Sequence, residues 1–145
     1  MKTTEDLVRE LLDREAIRDL PKRYCHCVWT NDLDGIVNLF SEDGSIIMET
    51  SKGPHTTTGH EKLSKAFRRV VDDLGPRPYI HNHVIELKDG GHATGTCYVE
   101  LRDSKHEMKW LGTGYYNDEY VKVGEQWKFK SRRVTLVRME RPPQA

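Results

Sequence analysis

Long apolar runs are missing from this 145-residue chain. Its hydrophobic stretches last only a few positions, which excludes a membrane-crossing helix. Net charge is missing as well: 23 Lys and Arg balance 23 Asp and Glu, leaving no basic field for nucleic acid and no acidic tail. Cysteine is scarce, and three residues without paired spacing fit a reducing, cytoplasmic compartment better than a disulfide framework. Lys2, Glu5, Asp6, Arg9 and Glu10 charge the start of the chain, so it does not read as a secretory signal. No Gly-rich phosphate loop, nucleophile elbow, Cys-x-x-Cys or His-Glu-x-x-His occurs, and no serine has a paired base. What remains is one globular domain. A chain of this length buries roughly two-thirds of its unfolded surface, enough for a sizeable core.

Thr3 and Asp6 have capping-box spacing, and Leu7, Leu11, Leu12, Ile17, Leu20, Tyr24, Cys27 and Val28 recur at three- and four-residue steps. This predicts a long amphipathic helix to about Trp29. Pro21 within it predicts a kink or break, or alternatively the start of a separate helix. Leu33–Phe40 reads as a second helix, Ser41–Gly44 as a turn, Ser45–Met48 as a short strand and Ser51–Gly59 as a loop. A third helix over His60–Leu74 stops at Gly75 and Pro76. Tyr79–Leu87, Ala93–Leu101, Met108–Val123 and Gln126–Val137 read as strands joined by Gly- and Asp-rich turns. Helices followed by a meander predict an α+β domain over residues 1–137, with residues 138–145 as a tail. A curved antiparallel sheet wrapped around a long helix encloses a cone, and such a cone favours an internal pocket.

His81 and His83 stand two apart on a strand, so strict alternation puts them side by side on one face. They could share proton transfer or hold a metal, or pack structurally within the sheet; no third metal ligand is placed. Cys25-His26-Cys27 splays around a helix and reads as core rather than metal site. Tyr24, Trp29, Tyr98, Trp110, Tyr115, Tyr116, Tyr120 and Trp127 are an ample aromatic set whose polar tips suit a pocket as well as a core. Asp32 and Asp34 cap the second helix or orient a pocket histidine.

Several phrases, in order, resemble the SnoaL-like proteins of the nuclear transport factor 2-like superfamily. They are Asp13-Arg14-Glu15-Ala16-Ile17-Arg18-Asp19-Leu20, Arg23-Tyr24, Asp32-Leu33-Asp34-Gly35 and Leu39-Phe40-Ser41-Glu42-Asp43-Gly44. Thr58-Gly59-His60-Glu61, Asn82–Leu87, Ala93–Thr96, Gly114–Tyr120 and Gly124–Phe129 continue the match. The resemblance implies a cone of α+β type (a cystatin-like barrel), frequent homodimers through the outer sheet face, and no cofactor. Relatives include scytalone dehydratase, dehydrochlorinase, polyketide cyclases and steroid isomerases, alongside non-catalytic modules. It also implies an Asp at the end of the first helix and a His four residues before the strand Asn; here those positions hold Trp29 and Pro78.

The expectation is therefore a cofactor-independent lyase or isomerase acting on a small hydrophobic cyclic substrate. His81 or His83 would serve as base and Tyr24 as hydrogen-bond donor, with Trp29, Asp32, Tyr98, Trp110 and Tyr116 lining the pocket. No metal, nucleic acid or membrane is expected, and the partner is a second copy of the chain. The alternative is a hydrophobic-ligand-binding or dimeric assembly module that has lost the His–Asp dyad.

Overall fold

The computed structural model describes residues 1–140. Helix α1, Thr4–Trp29, opens with a reciprocal cap: Asp6 N donates to Thr3 Oγ1 at 3.1 Å and Thr3 N to Asp6 Oδ2 at 3.0 Å. The helix runs through Pro21 without a break, against expectation. Proline removes a donor to the carbonyl of Ile17, but its ring is buried with Ile17, Leu20, Tyr24 and Val28, and that packing offsets the lost bond. The apolar stripe is shorter than its sequence pattern. Leu7, Val8, Leu11 and Leu12 face solvent, while Asp13 faces the body, taking bonds from Trp127 Nε1 (2.8 Å) and Lys122 Nζ (3.0 Å).

Helix α2, Leu33–Asn38, leads into β1, Phe40–Thr50, so Ser41–Gly44 is strand rather than turn. The segment expected as a loop contains β2, Gly53–Thr58, paired antiparallel with β1. Its three threonines are β-branched, and at a sheet edge the missing N–H of Pro54 costs no ladder bond. Helix α3, His60–Asp73, ends at Gly75, whose φ of +61° suits glycine best. Strands β3 (Pro76–Leu87), β4 (His92–Asp103), β5 (Lys109–Val123) and β6 (Gln126–Met139) form the meander. The sheet order is β2-β1-β6-β5-β4-β3, antiparallel throughout except for the β1–β6 pair. Residues 138 and 139, expected in the tail, extend β6; residues 141–145 lie outside the described part.

The helices fill the inner face of the sheet. Between α1, α3 and the sheet lies an apolar cavity of about 200 Å³, bounded by Tyr24, Phe67, Val70, Leu101, Tyr116 and Leu136 among others. The outer face carries a largely polar stretch. Thr94, Thr96, Asn117, Glu119, Lys130 and Arg133 line a shallow concavity there, with Ile47 and Val84 among them. No described helix is long and apolar enough to cross a membrane.

Candidate functional site

A fully buried ion pair sits at the centre of the cone. Asp118 on β5 lies directly opposite Arg132 on β6, and neither side chain has any exposure. Arg132 Nε donates to Asp118 Oδ1 at 2.9 Å and Nη2 to Oδ2 at 3.2 Å. Burial is the largest single influence on Arg132 and works against its charge, but the Asp118 carboxylate, by charge and hydrogen bond, leads the influences that together offset it and hold the guanidinium protonated. Three rings surround the guanidinium carbon, with centroids at 3.7 Å (Tyr116), 4.4 Å (Tyr24) and 4.6 Å (Phe129). Its Nη1 is buried without a hydrogen-bond partner among the described residues.

From Asp118 a chain of hydrogen bonds runs to the α1–β3 seam. Tyr120 O–H donates to Asp118 Oδ2 at 3.0 Å, and His83 Nε2 lies 2.9 Å from the same phenol oxygen. Both Asp118 oxygens already accept from Arg132, so the Tyr120 proton belongs to the Tyr120–Asp118 contact. His83 must then donate through Nε2–H, which leaves Nδ1 as the free lone pair. Desolvation lowers the His83 pKa below the ordinary 6.5, with Asp118 opposing it, so the imidazole stays neutral near neutrality.

The cavity itself is lined by the rings of Tyr24 and Tyr116, edge-to-face at 5.9 Å. Neither hydroxyl forms a hydrogen bond among the described residues, so both are available to a molecule in the cavity. Burial pushes the Tyr24 phenol up to about 12 and that of Tyr116 well above its usual 10, so both are neutral donors. Burial likewise lifts the Cys25 thiol to about 12, which removes it as a nucleophile.

The structure separates the histidines that sequence alternation pairs. Ile80 lies opposite Val99 and His83 opposite Cys97, so His81 and Asn82 together occupy one step of β4. This bulge inverts the parity of β3. His83 points inward, whereas His81 points outward to Glu100, its Nε2 3.1 Å from Oε2. Of the expected pocket residues, Tyr116 lines the cavity and the others do not. Trp29 ends α1 with its Nε1 on the carbonyl of Pro78. Asp32 caps α2 through Gly35 N at 2.9 Å. Tyr98 meets Tyr115 on the outer face at 6.2 Å with the rings tilted by 56°, and the ring of Trp110 lies 5.9 Å from the guanidinium of Arg138. Asp118, Tyr120 and Arg132 were not singled out as site residues from the sequence. A usable signal existed: Asp118 shares strand parity with Tyr116 and Tyr120, so it had to be buried and to need a cation. Among the described residues no group of three or more His, Cys, Asp or Glu is placed to bind a metal.

A long helix held in a curved six-stranded sheet, with a cavity between them, defines a cystatin-like α+β cone. The profile of the SnoaL-like domain matches residues 9–133, and the chain belongs to that family. Solved structures share the fold over nearly the whole chain. Rv3472 of Mycobacterium tuberculosis, a protein of unknown function, is 26% identical with a TM-score of 0.78, covering 96% of this chain and 78% of that one. A nuclear transport factor 2-like protein from Novosphingobium aromaticivorans is 19% identical with a TM-score of 0.80, covering 94% and 92%. A protein from the same organism provisionally assigned as a scytalone dehydratase is 20% identical with a TM-score of 0.76, covering 94% and 91%. No curated protein matches the chain.

Proposed function

We propose that the chain is a cofactor-independent lyase or isomerase acting on a small hydrophobic cyclic substrate held in the cone cavity. Tyr24 and Tyr116 bind the substrate's carbonyl or hydroxyl oxygen. The observation that carries this reading is the pair of unpartnered phenols in an otherwise apolar cavity, with the guanidinium of Arg132 against their rings. Neutral donors backed by a buried cation favour negative charge developing on that oxygen. The proton acceptor of this reading is the free Nδ1 of His83, which does not line the cavity and would have to be reached from it along the α1–β3 seam. Likeness to the protein assigned as a scytalone dehydratase supports the same reaction class. The enzyme works in the cytoplasm, where its three free thiols stay reduced, and as a homodimer through the outer sheet face.

A second reading is favoured by one observation: no imidazole or carboxylate lines the cavity. In that reading the protein holds its ligand without chemistry. Small cyclic ketones in D2O separate the two. Exchange of protons next to the carbonyl, followed by NMR without any cofactor, is expected to be accelerated by the protein and slowed in Tyr24→Phe. Saturable ketone binding without accelerated exchange would leave only the binding reading.

A further inference from the structure

A second recess lies outside the cone, where α1 ends. It is an open groove of about 660 Å³ lined by Trp29, Tyr79, His81, Glu100, Arg102 and Met108 among others. Two backbone irregularities shape it. The β3 bulge turns His81 to this side, as bulges commonly re-aim a side chain beside a site. Glu107 and Met108, in the turn before β5, both hold φ of +58°, a region that non-glycine residues enter rarely. Trp29 and Tyr79, 38% and 46% exposed, meet edge-to-face at 5.3 Å and 74°, forming an aromatic corner open to solvent.

The polar wall is a linked triad. Glu100 accepts from His81 Nε2 (3.1 Å) on one oxygen and from Arg102 Nε (2.7 Å) on the other. The His81 hydrogen bond first, and Arg102 after it, hold the Glu100 carboxyl below the usual carboxylate range, so it is an acceptor throughout the neutral range. It therefore takes the Nε2–H, and with a single proton on the ring Nδ1 is left as a lone pair, for which no partner exists among the described residues. Arg102 Nη1 makes only a 3.5 Å contact to the Met108 carbonyl, which leaves it a spare donor. The groove thus offers one free acceptor, one free donor and an apolar aromatic corner. A hydroxyl answers both polar groups through one atom, donating to one and accepting from the other.

We propose that this groove is a second ligand site, separate from the cone cavity, for a planar aromatic compound bearing a phenolic hydroxyl. The ring lies against Trp29, Tyr79 and Met108. The hydroxyl donates to His81 Nδ1, and its oxygen accepts from Arg102 Nη1.

The test is an NMR titration of the isotope-labelled protein with 2-naphthol and, separately, with its methyl ether, which cannot donate. 2-Naphthol is expected to move the indole N–H signal of Trp29 and the ring signals of His81. The ether should bind about two- to tenfold more weakly, the size of one lost hydrogen bond. His81→Phe, a change at an exposed position, should erase that preference, and Tyr79→Ala should weaken both compounds alike. The variant Tyr24→Phe/Tyr116→Phe, which alters only the cone cavity, should leave the Trp29 and His81 shifts in place. The proposal is overturned if the ether binds as tightly as 2-naphthol, if His81→Phe keeps the preference, or if the shifts vanish in the double Tyr→Phe variant.

Discussion

The indole Nε1 of Trp29 donates a 2.7 Å hydrogen bond to the carbonyl of Pro78, tying the last residue of α1 to the start of β3. The family resemblance puts an Asp and a His at these two positions. Here an indole and a proline occupy them, neither able to accept a proton. The bond joins the helix end to the rim of the sheet instead, and any acid–base chemistry must come from other residues.

Trp29→Phe removes that bond but keeps an aromatic ring against Tyr79. It should cost about 0.5–1.5 kcal/mol of stability, the usual net worth of one intramolecular hydrogen bond. Urea denaturation with an unchanged slope would report it as a lower midpoint. An unshifted midpoint would mean the carbonyl of Pro78 is served equally well by water.

The Asp118–Arg132 pair should behave asymmetrically. Asp118→Asn leaves a guanidinium buried without a counter-charge, and about 3–5 kcal/mol should be lost. The double variant Asp118→Leu/Arg132→Met replaces both charges by apolar groups, and should recover most of that loss. Thermal denaturation of the three proteins checks the ordering. A double variant no better than the single one would show that the rings around Arg132 depend on its charge.

Tyr24→Phe should leave stability unchanged or slightly raised, because the hydroxyl has no partner to lose. Ligand binding or turnover should fall. Lost stability with intact binding, compared by calorimetry on Tyr24→Phe and the unchanged protein, would assign the hydroxyl a structural role.

Below neutrality the protein should lose stability through His83. Its folded pKa lies below the unfolded 6.5, so the unfolded chain binds more protons as acid is added. The stability is complete above pH 6.5 and declines as pH falls through 6.5 toward the folded value. The groups acting on the ring are Asp118 from β5, Arg132 from β6, and Arg18 and Lys22 from α1. His83→Gln should flatten this part of the stability profile between pH 7 and 5. An unchanged slope would assign the acid sensitivity elsewhere.

Self-association through the outer sheet face should depend on Tyr98 and Tyr115, whose rings meet there at 6.2 Å with Tyr98 44% exposed. Sedimentation at micromolar concentration should give twice the 16.9 kDa chain mass, and Tyr98→Asp should return it to the single mass. A native protein sedimenting as one chain would refute the dimer.

Local periodicity was enough to read the three helices and the four-strand meander, because capping, three-to-four spacing and glycine turns act between near neighbours. It sufficed also to mark Tyr24 and Tyr116, whose apolar bodies share the faces that must be buried. The Thr-rich β2 escaped because an edge strand is specified by the neighbour it pairs with rather than by its own hydrophobicity. His81 and His83 parted for a similar reason. Alternation assumes one residue per step, and only the register against β4 decides that two residues of β3 share a step at the bulge. The pairing of Asp118 with Arg132, 14 residues apart, likewise arises only when β5 and β6 zip in their particular register. The chain's own pattern determined which side chains must leave water, and the strand registers decided which of them meet inside.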